Sequence, residues 1–165
     1  VLRLEAVACK DWLTNKVDRC VGGRVSTQQC VGPLQLPLNN CGVMALDFDG
    51  REGVATSVGH APLIGLVDPA AGARAAVAEA LTNLVWAPLQ GGITSVSLSA
   101  NWMWPCKNMG EDARLYAAVK AMSDFAIDLG INIPTGKDSL SMKKTPASIG
   151  WRYICLKSGL WLCEV

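Results

Sequence analysis

The sequence predicts an α+β fold, a mixed sheet with helices on one face, and three observations carry that prediction. Two apolar runs flank an Asp-Gly pair, two long segments have helical periodicity with recognisable ends, and the stretch between them alternates polar and apolar residues.

Residues 42–48 (GVMALDF) read as a strand, Asp49-Gly50 as a tight turn, and residues 53–58 (GVATSV) as the returning strand. Asp68 then offers a side-chain acceptor to the first free amides of a helix, and Pro69 suits its first position. Residues 70–86 are rich in alanine, with Val77, Leu81 and Leu84 at helical spacing, and Pro88, Gly91 and Gly92 end the segment. Residues 93–102 alternate and read as a strand, and residues 105–110 as a loop. Residues 111–129 form a second helix with Leu115, Val119, Met122, Phe125 and Leu129 as its apolar stripe. Glu111 and Asp112 complement its positive N-terminal end, and Gly130 suits its C-terminal cap. Residues 131–134 are a short strand leading into a turn at residues 135–139 (TGKDS).

Three regions follow: a loop-rich lead-in over residues 1–40, an α+β domain over 41–144, and an atypical tail over 145–165. The chain opens on Val1 rather than Met, which is expected of a chain that begins within a longer protein.

Half of the 165 residues are hydrophobic and 18% are charged, enough for a sizeable core. A formal net charge of +1 supplies no field to draw nucleic acid or an anionic membrane. No apolar run reaches the length of a membrane span, and the charged N-terminal stretch does not read as a signal peptide. Seven cysteines without a C-x-x-C, and a single histidine, lack the short ligand spacings of a zinc site. They read as structural thiols in a reducing cytosol, disulfides or a metal site being the other reading.

Several residues can carry chemistry. Glu79 and Asn83 lie four apart and share one helix face, where a carboxylate and an amide oxygen suit magnesium. On spacing alone, a solvated helix face is the plainer reading. Gly136-Lys137-Asp138-Ser139 follows a strand and can approach a phosphate, but it lacks the Walker A spacing, and an ordinary turn is the plainer reading. Asn39-Asn40 reads as a turn, and His60 as a packing or hydrogen-bonding residue. Trp102 and Trp104 suit burial, or stacking on a base or partner.

The order of these pieces adds a resemblance. Asp18-Arg19, then residues 29–33 (QCVGP), lead into DPAAGAR with EALTN (68–74 and 79–83). LSANWM (98–103), GEDARLY (110–116) and PTGKDSLSM (134–142) follow in order. Over residues 14–144 the chain resembles the synthetase region of the large-form phosphoribosylformylglycinamidine synthase family. The resemblance implies a domain similar to the N-terminal domain of aminoimidazole ribonucleotide synthetase. It implies a fragment of an ATP- and glutamine-dependent ligase of purine biosynthesis, with formylglycinamide ribonucleotide as substrate and ATP and Mg2+ as cofactors.

By the same resemblance Glu79, Asn83 and Asn40 fall on magnesium ligands, Asn40 standing where many members have Asp. Asn39, Lys137, Asp138 and Ser139 fall near the nucleotide, and Arg19 near the substrate or the catalytic centre. The nucleotide is either a bound structural one or the one that turns over. No cysteine here sits in a nucleophile elbow, so no catalytic residue is assigned. The glutaminase part and the other half of the synthetase are expected elsewhere in a longer cytoplasmic chain, and the isolated piece is expected to be inactive. The match stops near Lys144, and the tail reads as a shifted frame, a mis-assembled end or divergence. Two other functions stay open: a non-catalytic pairing domain, and another ATP-binding enzyme of the aminoimidazole ribonucleotide synthetase superfamily. LSANWM and GKDS argue against the second.

Overall fold

The computed structural model describes residues 4, 24–27, 33–34 and 41–141, and the backbone of residues 163–164. The expectations for Arg19, Asn39, Asn40 and most of the tail lie outside the described residues. The described elements run β1 (Val25–Thr27), β2 (Cys41–Ala45), β3 (Gly53–Ser57), α1 (Pro62–Val67), α2 (Pro69–Leu84), β4 (Ser97–Met103), α3 (Glu111–Leu129), β5 (Asn132–Ser139) and β6 (Cys163–Glu164).

Among the described residues the strands form two hydrogen-bonded sheets rather than one mixed sheet. One is four-stranded in the order β1-β2-β3-β6, antiparallel throughout, and the other is the parallel pair β4–β5. Parallel pairing follows from the connection: a strand that returns through a helix such as α3 re-enters in the same direction. The β2–β3 hairpin pairs Cys41 with Ser57 and Ala45 with Gly53, so its connection is residues 46–52 and not a two-residue turn. Asp47 closes that loop by accepting the Gly50 N–H at 2.8 Å.

The helices form where the local signals place them. Asp68 Oδ1 accepts the N–H groups of Ala70 and Ala71 at 2.9 and 3.0 Å, satisfying two amides that have no partner inside the helix. Helix α3 ends at Gly130, whose φ of 70° is left-handed and therefore easy only for glycine. Its buried residues are Ala118, Met122 and Ala126, whereas Val119 of the expected stripe is 38% exposed. Met122 stays buried and Leu115, Phe125 and Leu129 pack half-buried against the core, so only Val119 of the expected stripe turns outward.

One core joins both sheets. Val77 and Leu84 of α2, Leu98, Ala100 and Trp102 of β4, Met122 of α3 and Ile131 are all buried in it. Burying a side chain such as Leu84 contributes about 2 kcal/mol. Strand β4 buries every second residue, so Ser97, Ser99, Asn101 and Met103 share its other, half-buried face.

Candidate functional site

Helix α2 is stitched to the end of β3 by three hydrogen bonds. Buried Ser57 donates through Oγ to the Ala80 carbonyl at 2.8 Å. Asn83 Nδ2 donates to the Val58 carbonyl at 2.8 Å, and Glu79 Oε2 accepts the His60 N–H at 2.8 Å. Glu79 and Asn83 therefore meet as expected, along the single segment 58–60. Between their anchors sits Gly59, where a β-carbon would lie 2.1 Å from the Ala76 carbonyl oxygen. His60 acts here through its backbone, and its imidazole Nδ1 stays 4.0 Å from Glu79 Oε2.

These bonds use one oxygen of the Glu79 carboxylate and the amide nitrogen of Asn83. Glu79 Oε1 and Asn83 Oδ1 make no hydrogen bond among the described residues. Both are hard oxygens on the same helix edge, and that donor chemistry fits magnesium, which takes one or two protein ligands and completes its shell with water and phosphate. Among the described residues no group of three His, Cys, Asp or Glu is placed to hold a metal.

Lys137, Asp138 and Ser139 do not form a turn: they are the last residues of strand β5. The parallel register pairs Gly136 with Ala100, Asn101 with Lys137, Trp102 with Asp138 and Met103 with Ser139. A β-carbon on Gly136 would meet the Ala100 carbonyl oxygen at 2.4 Å. Glycine is therefore required by the strand it pairs with, not by a loop around a phosphate. Pleating sends Lys137 and Ser139 to one face, where the Lys137 ammonium donates to Ser139 Oγ, and sends Asp138 to the opposite face.

No described hydrogen bond or ion pair joins the Glu79–Asn83 edge to Lys137, Asp138 or Ser139. A groove of about 430 Å³ opens between α2 and α3, lined by Arg74, Lys120, Asp124, Phe125 and Asp128 among others, and it contains none of the expected site residues. The spacing of residues missed Ser57, Val58 and Gly59. The signal for them was a small-residue helix face (Ala73, Ala76, Ala80) following a Ser-Val-Gly strand end, a pairing that calls for close backbone approach.

Residues 9–152 match the family model of the FGAR-AT PurM_N-like domain. The chain belongs to this family. The FGAR-AT PurM_N-like domain described here is similar to phosphoribosylformylglycinamidine synthase of Homo sapiens, 54% identical over 142 residues, and to that of Drosophila melanogaster, 51% identical over 142 residues. Each match covers 86% of this chain and 10% of the relative, so the chain spans about a tenth of the length of these synthases. Among solved structures it is similar to T. maritima PurL complexed with AMPPCP, with a TM-score of 0.57 and 18% identity. That likeness covers 77% of this chain and 20% of PurL. At that identity it is the fold that is shared, and the expected α+β class holds. No helix among the described residues of this FGAR-AT PurM_N-like domain is long and apolar enough to cross a membrane.

Proposed function

We propose that this chain contributes a magnesium–nucleotide site to a cytoplasmic phosphoribosylformylglycinamidine synthase, which converts formylglycinamide ribonucleotide, ATP and glutamine to the amidine. In that reaction ATP phosphorylates the amide oxygen, and ammonia drawn from glutamine displaces the phosphate. The single observation that supports the site is the pair of oxygens Glu79 Oε1 and Asn83 Oδ1, which make no hydrogen bond among the described residues and are held on one helix edge by bonds through their neighbouring atoms. Magnesium bound there would neutralise phosphate charge. Lys137 and Ser139 would meet phosphate oxygens from the open face of β4–β5, with Asn39 and Asn40 as further nucleotide and metal contacts. Asp138 belongs to the same proposed site, and Arg19 to the substrate. Glutaminase and remaining synthetase chemistry belong to other parts of the longer chain, and this piece alone is inactive.

The seam bonds favour a second reading, in which Glu79 and Asn83 serve only the fold of a pairing domain. Glu79→Gln separates the two, because glutamine still accepts the His60 N–H but lacks the charge that holds a cation. Calorimetry of ATP binding with and without magnesium, on a longer polypeptide carrying this domain, reads the outcome. The metal reading expects Glu79→Gln to melt like the parent and to lose about tenfold in magnesium-dependent affinity. Unchanged affinity in both Glu79→Gln and Glu79→Ala removes Glu79 from the metal.

A further inference from the structure

His60 serves the fold through its backbone and leaves its side chain over. Its N–H donates to Glu79 Oε2 at 2.8 Å, which fixes the residue against that carboxylate. The preceding Gly59 is pressed onto the Ala76 and Ala80 backbone, so the segment has little room to shift along the helix. The imidazole itself is 56% exposed, and no hydrogen bond of its nitrogens is found among the described residues.

Its position relative to the carboxylate is nonetheless defined. Nδ1 lies 4.0 Å from Glu79 Oε2. That is too long for a hydrogen bond, whose N···O distance is about 3 Å. It suits two donors of one cation: each donor of a zinc-like ion lies about 2.1 Å from it, so a pair of them stands no more than about 4.2 Å apart. Rotation of the His60 side chain alone narrows the gap to a regular coordination angle, because the carboxylate is already tethered. The charge of Glu79 disfavours an anion in the same place.

Donor type then decides the ion. Magnesium takes oxygen ligands, whereas imidazole nitrogen suits zinc, nickel and copper. The Asn83 carboxamide, one turn further along the same helix edge, offers another oxygen. Among the described residues no third His, Cys, Asp or Glu completes the set, so positions stay open for water or phosphate.

We infer that His60 is a further ligand at the Glu79 cation site, and that its nitrogen gives the site a preference for transition ions such as Co2+ or Zn2+ over magnesium. This rests on the proposed reading of Glu79 as a cation ligand.

The test titrates the longer polypeptide with Co2+, followed by visible absorption, and then displaces the bound Co2+ with Mg2+. Parent, His60→Ala and Glu79→Gln are compared, and the signal lost in Glu79→Gln is the one that belongs to this site. Alanine keeps the N–H that Glu79 holds, and the imidazole is exposed, so His60→Ala is expected to melt like the parent. Its preference for Co2+ over Mg2+ is expected to fall about tenfold. A parent-like preference in His60→Ala overturns the inference, and so does a Co2+ signal that never depends on Glu79. Magnesium-dependent ATP calorimetry on Glu79→Gln decides the proposed site separately, so the two failures are told apart.

Discussion

Gly59 and Ala76 touch backbone to backbone: a β-carbon at Gly59 would lie 2.1 Å from the Ala76 carbonyl oxygen and 2.4 Å from the Ala80 nitrogen. No side-chain rotation relieves such a clash, because both opposing atoms belong to a helix. Gly59→Ala must therefore push α2 away from β3 and loosen the bonds of Ser57, Asn83 and Glu79 together. We expect a loss of about 3 kcal/mol in urea unfolding. Gly42→Ala is the control, since nothing lies within 4 Å of a β-carbon there, and it should unfold close to the parent midpoint. A parent-like midpoint for Gly59→Ala would show that the helix does not rest on this residue.

Cys106 supplies a prediction in pH. Burial is the main cause that pushes its thiol above the ordinary range, and the charges of Asp112 and Glu111 add to it. The folded state thus prefers the protonated thiol more than the unfolded chain does. The contribution is present below the ordinary thiol pKa and is lost as pH rises through the folded value. Alkylation, followed at the Cys106 peptide by mass spectrometry, should be slower at pH 8 than for the same peptide unfolded. Asp112→Asn should speed it. Equal rates in the folded and unfolded states would rule out the shift.

The helical skeleton was legible because its signals are local. Asp68 and Gly130 mark ends through bonds made within a few residues, and α3 spans the expected 111–129. What depended on distant contacts was not legible. Helix α1 is six residues long and has no side-chain cap, and Arg114 Nη2 secures its carbonyl end by donating to Gly65 and Leu66 at 3.0 and 2.8 Å. A contact across nearly fifty residues leaves no periodic trace. Residues 93–95 alternate like a strand yet lie in a 3-10 turn, Gly92–Ser95, because β4 pairs with β5 only from Ser97 onward.

The candidate site divides in the same way. Helical spacing alone puts Glu79 and Asn83 on one edge, and they are there. Their partners His60 and Val58 lie 19 and 25 residues away, and only the docking of α2 on β3 reveals them. GKDS reads as a turn in the sequence because glycine, aspartate and serine favour turns when nothing pairs with them. Pairing with β4 overrides that preference, and it sets which of the three polar side chains face together.

Gly136 tests that override directly. If its role were to let a loop wrap a phosphate, Gly136→Ala would spare stability and weaken only nucleotide binding. In the strand, the added β-carbon meets the Ala100 carbonyl oxygen at 2.4 Å, with the Ala100 carbonyl carbon at 3.4 Å behind it. Ala100 is buried in the core, so β4 cannot yield without disturbing Trp102 and Leu98. The ladder should part on the β5 side instead, carrying Lys137 and Ser139 out of register with Asn101 and Met103. We expect Gly136→Ala to lose about 2 kcal/mol in urea unfolding, with faster amide hydrogen exchange confined to β4 and β5. Parent-like stability combined with weaker ATP binding would return the segment to the loop reading.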